Sequence, residues 1–326
     1  MAQGSATPTR KRIKDLGARI AERPTNDELA EVLQQAAKAG NDIRYDHTAG
    51  IVAALVSAGI AIIALMNEAI WVFIASLLAA AILAALVWDR MSTWSSLETS
   101  LQELYEDNLA GLRPIPTSTM PLSFFGEFQR GNYSREIRRL RVGERTLNDA
   151  TFAYTIVDYH WVDRVEHVET YTDSQGRMRQ RVVVRYYHYD RVGIALDLGA
   201  PGRLCVYSQD GHPVPKGTWT TADPAFNDRF QVRCSTEMVA ATLLTPAVVL
   251  KILELTNVAS DVNVEVNDGG WMLVSFAPTN LVAADGPLPS IKDLGAATRI
   301  VRTAPKQPLL DAFFGVVEDI SRHVRS

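Results

Sequence analysis

The chain has 326 residues, of which 33 are basic and 37 acidic, giving a formal net charge of −4 at neutral pH. That balance removes the general attraction that draws basic proteins to nucleic acid. Its two cysteines, Cys205 and Cys234, are too few for a disulfide framework and too far apart for a metal knuckle. Two free thiols in a reducing compartment are expected, with a single disulfide as the alternative.

Residues 1–24 are polar and basic, stop at Pro24 and read as mobile. Thr25-Asn-Asp-Glu28 is a capping box, which predicts a helix to about Ala39 with Leu29, Val32, Leu33 and Ala36 as its apolar stripe. Two uncharged runs follow, Ala49 to Met66 (18 residues) and Ile70 to Trp88 (19 residues). As helices they cover about 27–29 Å each, close to the hydrocarbon thickness of a bilayer. Only Asn67, Glu68 and Ala69 separate them, so a transmembrane hairpin is predicted with both outer ends on one side.

Arg10, Lys11, Arg12, Lys14, Arg19, Arg23, Lys38 and Arg44 precede the first run, and the tip carries no base. The positive-inside rule then puts both termini in the cytoplasm of a multi-pass plasma (inner) membrane protein, with the lipid bilayer as its first partner. Gly50, Ala54, Ser57, Ala58 and Ala61 on the first run, and Ala75, Ala79 and Ala80 on the second, let the spans approach closely. The tight turn makes packing within the hairpin the first expectation and an oligomer seam the second. No ionisable residue lies inside either run, which disfavours transport.

Beyond the membrane block, Trp94, Leu97, Leu101, Leu104, Asn108 and Leu112 recur every three or four residues, the stripe of a helical stalk. Arg113-Pro-Ile-Pro116 through Pro121 breaks it. The predicted organisation is a cytoplasmic segment with one helix (1–48), a transmembrane hairpin (49–88), a stalk (89–112), a linker (113–121) and a cytoplasmic domain (122–326).

That domain reads as α+β, because its strands and helices do not alternate as βαβ units. Phe152 to Thr170 and Arg179 to Leu198 predict a long β-hairpin. A turn centred near Ser174 would set Trp161 opposite Tyr187, Asp163 opposite Arg185 and His160 opposite His188. Further strands are expected at Arg203–Gln209, Phe230–Cys234, Val262–Val266 and Trp271–Phe276. The last two flank Asn267-Asp-Gly-Gly270, a hairpin turn. Asp223-Pro224 and Thr245-Pro246 open helices with a cap followed by proline. Thr236–Leu244 reads as helical, and Leu309 to Val324 as a closing helix with Leu310, Phe313, Phe314, Val317 and Ile320 on one face.

No metalloprotease, paired-CxxC, dinucleotide, nucleophile-elbow or phosphate-loop signature occurs, so no catalytic residue or cofactor is assigned. Three weaker groups remain. His160 and His188 could share a metal, although a polar pair on a wet sheet face is the plainer reading and His167 falls on the other face. Arg135, Arg138, Arg139, Arg141 and Arg145 could meet anionic headgroups, at about 1 kcal/mol per base. Glu136, Glu144 and Asp149 dilute that run, and a solvated face is the plainer reading. Cys205 and Cys234 read as buried filler without a histidine or acid to activate them.

Asp223-Pro-Ala-Phe226-Asn-Asp-Arg-Phe230, Leu243-Leu-Thr-Pro246 and Gly-Gly270-Trp-Met-Leu-Val274 resemble the C-terminal half of DUF3137-type bacterial membrane proteins. The likeness spans Asp223 to Phe276. It implies the same layout of N-terminal helix, two close spans, stalk and cytoplasmic α+β region, and it implies no activity. The hairpin at 150–200 departs from the family in its richness in Tyr, Arg and His. The expected function is a membrane-anchored scaffold or interaction module, meeting another protein through Trp161, Tyr186, Tyr187 and Tyr189, with a homo-oligomer as a further option. A sensor of a small ligand or anionic headgroup is the alternative, ahead of an enzyme with an unrecognised site.

Overall fold

The computed structural model describes residues 9–38, 48–66, 70–147, 150–208, 217–286, 288–303 and 305–324. The described residues form a mixed α+β protein of nine helices and a nine-stranded, wholly antiparallel open sheet. Two compact units share the chain: Met1–Leu109 with Gly286–Pro305, and Ala110–Asp285 with Lys306–Ser326. This division differs from the expected domain at 122–326 at its start and in its interior. The unit starts earlier, and residues 286–305 leave it.

The first unit is helical. The capping box forms as expected: the Thr25 backbone N–H donates to Glu28 Oε2 at 2.8 Å, and Glu28 N–H donates to Thr25 Oγ1 at 3.4 Å. It opens α2 (Asn26–Lys38). The reading of residues 9–24 as mobile, and of one helix before the membrane block, is overturned by α1 (Thr9–Ala21); residues 1–8 lie outside the described residues. Ile13, Leu16 and Ile20 recur at helical spacing and are buried, a stripe that the surrounding charges disguise.

α3 (Thr48–Met66) packs on α4 (Ile70–Leu109), which continues unbroken from the apolar run into the stalk. Asn67–Ala69 lie outside the described residues. Among the described side chains of α3, Ala53, Ala54, Ser57, Ala58, Gly59 and Ala61 are shielded, whereas Leu55, Val56, Ile62 and Ile63 face outward. On α4 the shielded positions are Phe73, Ser76, Ala80, Leu83 and Val87, so Ala75 and Ala79 are not on the seam. Small residues inside and large aliphatics outside is the reverse of a water-soluble helix pair. By length and composition α4 can cross a bilayer; α3 is the shorter apolar helix.

Trp94, Leu97, Leu101 and Leu104 are buried on the lower half of α4, as the stripe predicts. α1 and α2 pack there. Arg23 ends α1 with a left-handed φ of 54° and pairs with buried Asp107 at 2.8 Å, while Asn108 Nδ2 donates to Pro24 O at 2.8 Å. A helix absent from the expectation, α8 (Leu294–Val301), lies against α2 and buries Leu294, Ala297, Thr298 and Val301.

The second unit is built on the sheet, ordered β1-β2-β3-β4-β9-β8-β5-β7-β6. Its strands are β1 (Arg113–Ile115), β2 (Ser134–Leu147), β3 (Ala150–Thr172), β4 (Met178–Asp197), β5 (Leu204–Tyr207), β6 (Gly217–Trp219), β7 (Gln231–Cys234), β8 (Asn263–Val266) and β9 (Trp271–Phe276). β1 occupies part of the expected linker, and β6 was not anticipated. Asp223 caps α5 (Pro224–Arg229) and Thr245 caps α7 (Pro246–Leu255), with proline at the first helical position in both. α6 (Glu237–Leu243) and α9 (Pro308–Val324) complete the set.

Alternation decides which side of each strand meets the helices. Ile156, Ile194, Val206, Val264, Val274 and Phe276 join Phe226, Leu243, Ile252, Phe313 and Phe314 in one core. Fully burying each such side chain contributes about 1.5–3 kcal/mol. The opposite face carries a smaller core in which Phe125 and Phe128, from the segment before β2, cover Leu140, Val157, Tyr159 and Leu273.

Candidate functional site

β3 and β4 are 23 and 20 residues long and outrun the strands beside them. β2 accompanies β3 only as far as Val162, and β9 accompanies β4 only from Val192. Between those points the two strands form a ribbon that no other strand among the described residues flanks. Asp173 closes its tip: the carboxylate accepts from the backbone N–H of Gln175 and Arg177 at 2.9 and 3.0 Å and from Arg179 Nε at 2.8 Å. The Arg177 backbone bond leads in holding Asp173 below the usual aspartate range. Gly176 supplies the left-handed residue of the turn, at φ 77°.

The register differs from the expectation by two residues. Trp161 faces Tyr189, Asp163 faces Tyr187, and His160 faces Asp190. The turn is centred on Gln175, since Thr172 pairs with Met178, and moving a turn centre by one residue shifts the register by two. A shift of two preserves parity, so each side chain keeps its expected face.

The two faces of the ribbon differ in kind. One carries Val168 directly opposite Val182, with relative exposures of 65% and 61%, extended by Val184, Tyr186 and Met178. Tyr133 continues this ladder, edge-on to Tyr186 with ring centroids 4.9 Å apart. The other face carries Arg179, Arg181 and Arg185 with Glu169, which pairs with Arg181 at 2.9 Å and Arg185 at 3.7 Å. Open apolar surface on a two-stranded ribbon is unusual, because such a ribbon is barely stable alone in water.

The expected aromatic surface is only partly a surface. Tyr186, Tyr187 and Tyr189 are exposed, but Trp161 is 5% exposed. Its ring stacks under Tyr189 at 5.2 Å, and Arg130 lies 4.6 Å over it. Tyr186 is on the valine face and the other two are on the arginine face, so the four do not form one patch.

The structure brings His160 and His188 together diagonally. Their rings stack 5.4 Å apart, with His160 Nε2 3.3 Å from His188 Nδ1. Asp190 Oδ1 holds His160 Nδ1 at 2.8 Å and also binds Arg138 at 2.7 Å. No group of three or more His, Cys, Asp or Glu able to hold a metal occurs among the described residues.

The arginine run lies on β2 and is largely matched. Arg138 pairs with Glu136 and Asp190, Arg139 and Arg141 with Asp158, and Arg145 with Asp311; Arg135 donates to Gly131 O. Arg141 is buried. The field left for an anionic surface is correspondingly weak.

Both cysteines are buried and free. Leu204, not Cys205, stands opposite Cys234, so the two thiols point to opposite sheet faces and cannot bridge. Burial pushes both thiols up, Cys205 strongly and with Glu265 adding to the effect.

One group escaped the sequence. Glu127, in a short 3-10 turn (Glu127–Gln129), is buried against the sheet with Arg191 Nε at 3.1 Å and the Tyr159 hydroxyl donating at 2.7 Å. Beside it the Glu265 carboxylate accepts the backbone N–H groups of Gly126 and Glu127 at 2.7 and 2.9 Å. Burial lifts Glu265 to about 7, despite those amides. Burial, then the Glu127 charge, raises Tyr159 well above the usual phenol range. The gap among Glu127, Cys205, Asn263 and Glu265 has no room for a water molecule, so this cluster staples the aromatic segment to the sheet and admits no substrate. Elsewhere an apolar groove of about 660 Å³, lined by Trp219, Leu244, Pro246, Val249 and Leu250, holds one acid, Asp223, which is occupied in capping α5.

No known protein family, curated protein or solved structure matches the chain.

Proposed function

We propose that the protein is a membrane-anchored interaction module whose contact surface is the projecting β3–β4 ribbon. The observation that carries the proposal is the exposed Val168–Val182 pair and its extension through Val184, Tyr186 and Met178. Apolar ladders of this kind gain about 25 cal/mol for each Å² that a partner covers. The anchor in this reading is the α3–α4 pair, spanning a bacterial inner membrane twice with both termini inside. Its outward Leu, Ile and Val side chains support that. The DUF3137-type resemblance of Asp223–Phe276 fits the same layout and adds no activity.

A headgroup sensor built on Arg135–Arg145 is the weaker reading, because carboxylates already hold Arg138, Arg139, Arg141 and Arg145. The test is a detergent pull-down of the wild type against Val168→Glu/Val182→Glu and against Tyr186→Ser/Tyr187→Ser/Tyr189→Ser. Loss of the same partner from both folded variants supports the proposal, and identical partner sets from all three proteins sink it. Alkaline washing tests the anchor: the wild type must stay with the membrane pellet.

A further inference from the structure

From Met178 to Asp190, β4 has β3 on one side and no strand on the other among the described residues. No proline and no bulge interrupts that edge. Of the devices that keep free N–H and C=O groups from recruiting another strand, this edge carries only charged side chains, Arg179, Arg181, Arg185 and Asp190. Resting on the reading of the ribbon as a contact surface, we propose that its occupant is a second copy of the chain, with β4 pairing antiparallel to its counterpart about Val184.

Side-chain chemistry selects that register. In a two-fold antiparallel pair, residue i faces residue j of the other copy and j faces i, and both lie on one sheet face. Centring the pair on Arg181 or Arg185 sets that arginine against itself. Centring on Val182 sets Arg179 against Arg185, and centring on Val183 sets Arg181 against Arg185. Like charges directly opposite are destabilising.

Within Met178–Asp190, centring on Tyr186 or Tyr187 avoids the clash only by pairing a shorter stretch, whereas centring on Val184 removes every such clash and pairs the whole segment. Arg179 then meets Tyr189, Arg181 meets Tyr187, Arg185 meets Val183, and Tyr186 meets Val182. Arginine over tyrosine and tyrosine beside valine are favourable cross-strand pairs. The valine faces of the two ribbons become one four-stranded surface, with Val184 next to its counterpart on the axis. The free edge of β3 carries Asp163, Arg164, Glu166, Glu169 and Tyr171; Arg164 and Tyr171 lie on opposite faces, so no two-fold register there sets arginine against tyrosine.

The test uses the full chain in detergent. Val184→Cys must form a covalent homodimer, twice 35.9 kDa, on mild oxidation. Val182→Cys must not, since its counterpart is displaced by four residues, about 13 Å along the strand. Cys205 and Cys234 are buried and give the wild type no background. A mixture of Arg181→Cys and Tyr187→Cys chains must cross-link to each other. Tyr187→Arg, which sets arginine opposite Arg181, must weaken the dimer about tenfold by light scattering.

A monomeric wild type, or equal homodimer yields from Val184→Cys and Val182→Cys, overturns the pairing. So does a homodimer trapped by His167→Cys on β3 in place of Val184→Cys. Cross-linking of Val184→Cys only to other proteins also overturns self-pairing, while the interaction reading stands. Loss of both kinds of contact removes both.

Discussion

The Glu265 carboxylate accepts the backbone N–H of Glu127 at 2.9 Å, so an acid on β8 holds in place the turn that carries a second buried acid. With Glu265 lifted to about 7 from a usual 4.5, the native state keeps a proton that the unfolded chain has released. Its contribution to stability is therefore present at pH 4.5 and below, and is lost as pH rises to about 7. The difference is about 3 kcal/mol between pH 4.5 and 8. Thermal unfolding of wild type and Glu265→Gln across that range checks it: the variant must lose the part of the slope that falls between those pH values.

Asp223→Ala removes the acceptor of the Ala225 and Phe226 N–H groups at 2.8 and 3.2 Å. The expected loss is about 1 kcal/mol, read as a lower denaturation midpoint with unchanged far-UV dichroism. Asp223→Asn should recover most of it.

Gly270 has φ 81°, and a Cβ there would meet the backbone of Gly199 and Ala200 at 3.0 Å. Neither neighbour is the end of a flexible side chain. Gly270→Ala is expected to cost about 2 kcal/mol or more and to lower the melting temperature of the sheet unit. Gly176→Ala, at a similar φ but with open space around it, should cost less.

Both thiols should be silent toward an aromatic disulfide reagent at pH 8 in the native protein, because both are buried and burial raises them further from the thiolate form. Denaturation should release both. Rapid modification of either in the folded chain contradicts the burial.

Val182→Thr, by contrast, should leave the unfolding free energy within about 0.5 kcal/mol of wild type, since its side chain is exposed and touches no core. A large loss would mean that the ribbon is covered in the isolated protein.

Local chemistry made the sheet unit largely readable. Asp223-Pro224 and Thr245-Pro246 place two helices to the residue, and Leu310, Phe313, Phe314, Val317 and Ile320 give the buried face of α9. The register of the long hairpin was not readable beyond its parity, because Asp173 and Gly176 set the turn by hydrogen bonds that spacing does not reveal. β2 hides behind arginines whose partners, Asp158, Asp190 and Asp311, come from distant positions.

The buried acids were hidden for a related reason. Asn263 and Glu265 alternate with Val264 and Val266, the pattern of a strand with one wet face; only the packing of Phe125 and Phe128 over that face makes it dry. Trp161 was misplaced in the same way, since nothing local tells that Arg130 and Tyr189 enclose it.

The docking of α8 on α2 joins residues more than 250 positions apart in the chain. During synthesis α2 emerges early, yet its mate leaves the ribosome only after most of the sheet has been translated. At about 5–20 residues per second the delay is on the order of 10–50 s. The face of α2 that α8 covers must spend that interval against a provisional neighbour or a chaperone, and a chain stopped before Leu294 would keep that unfinished seam as a handle for quality control.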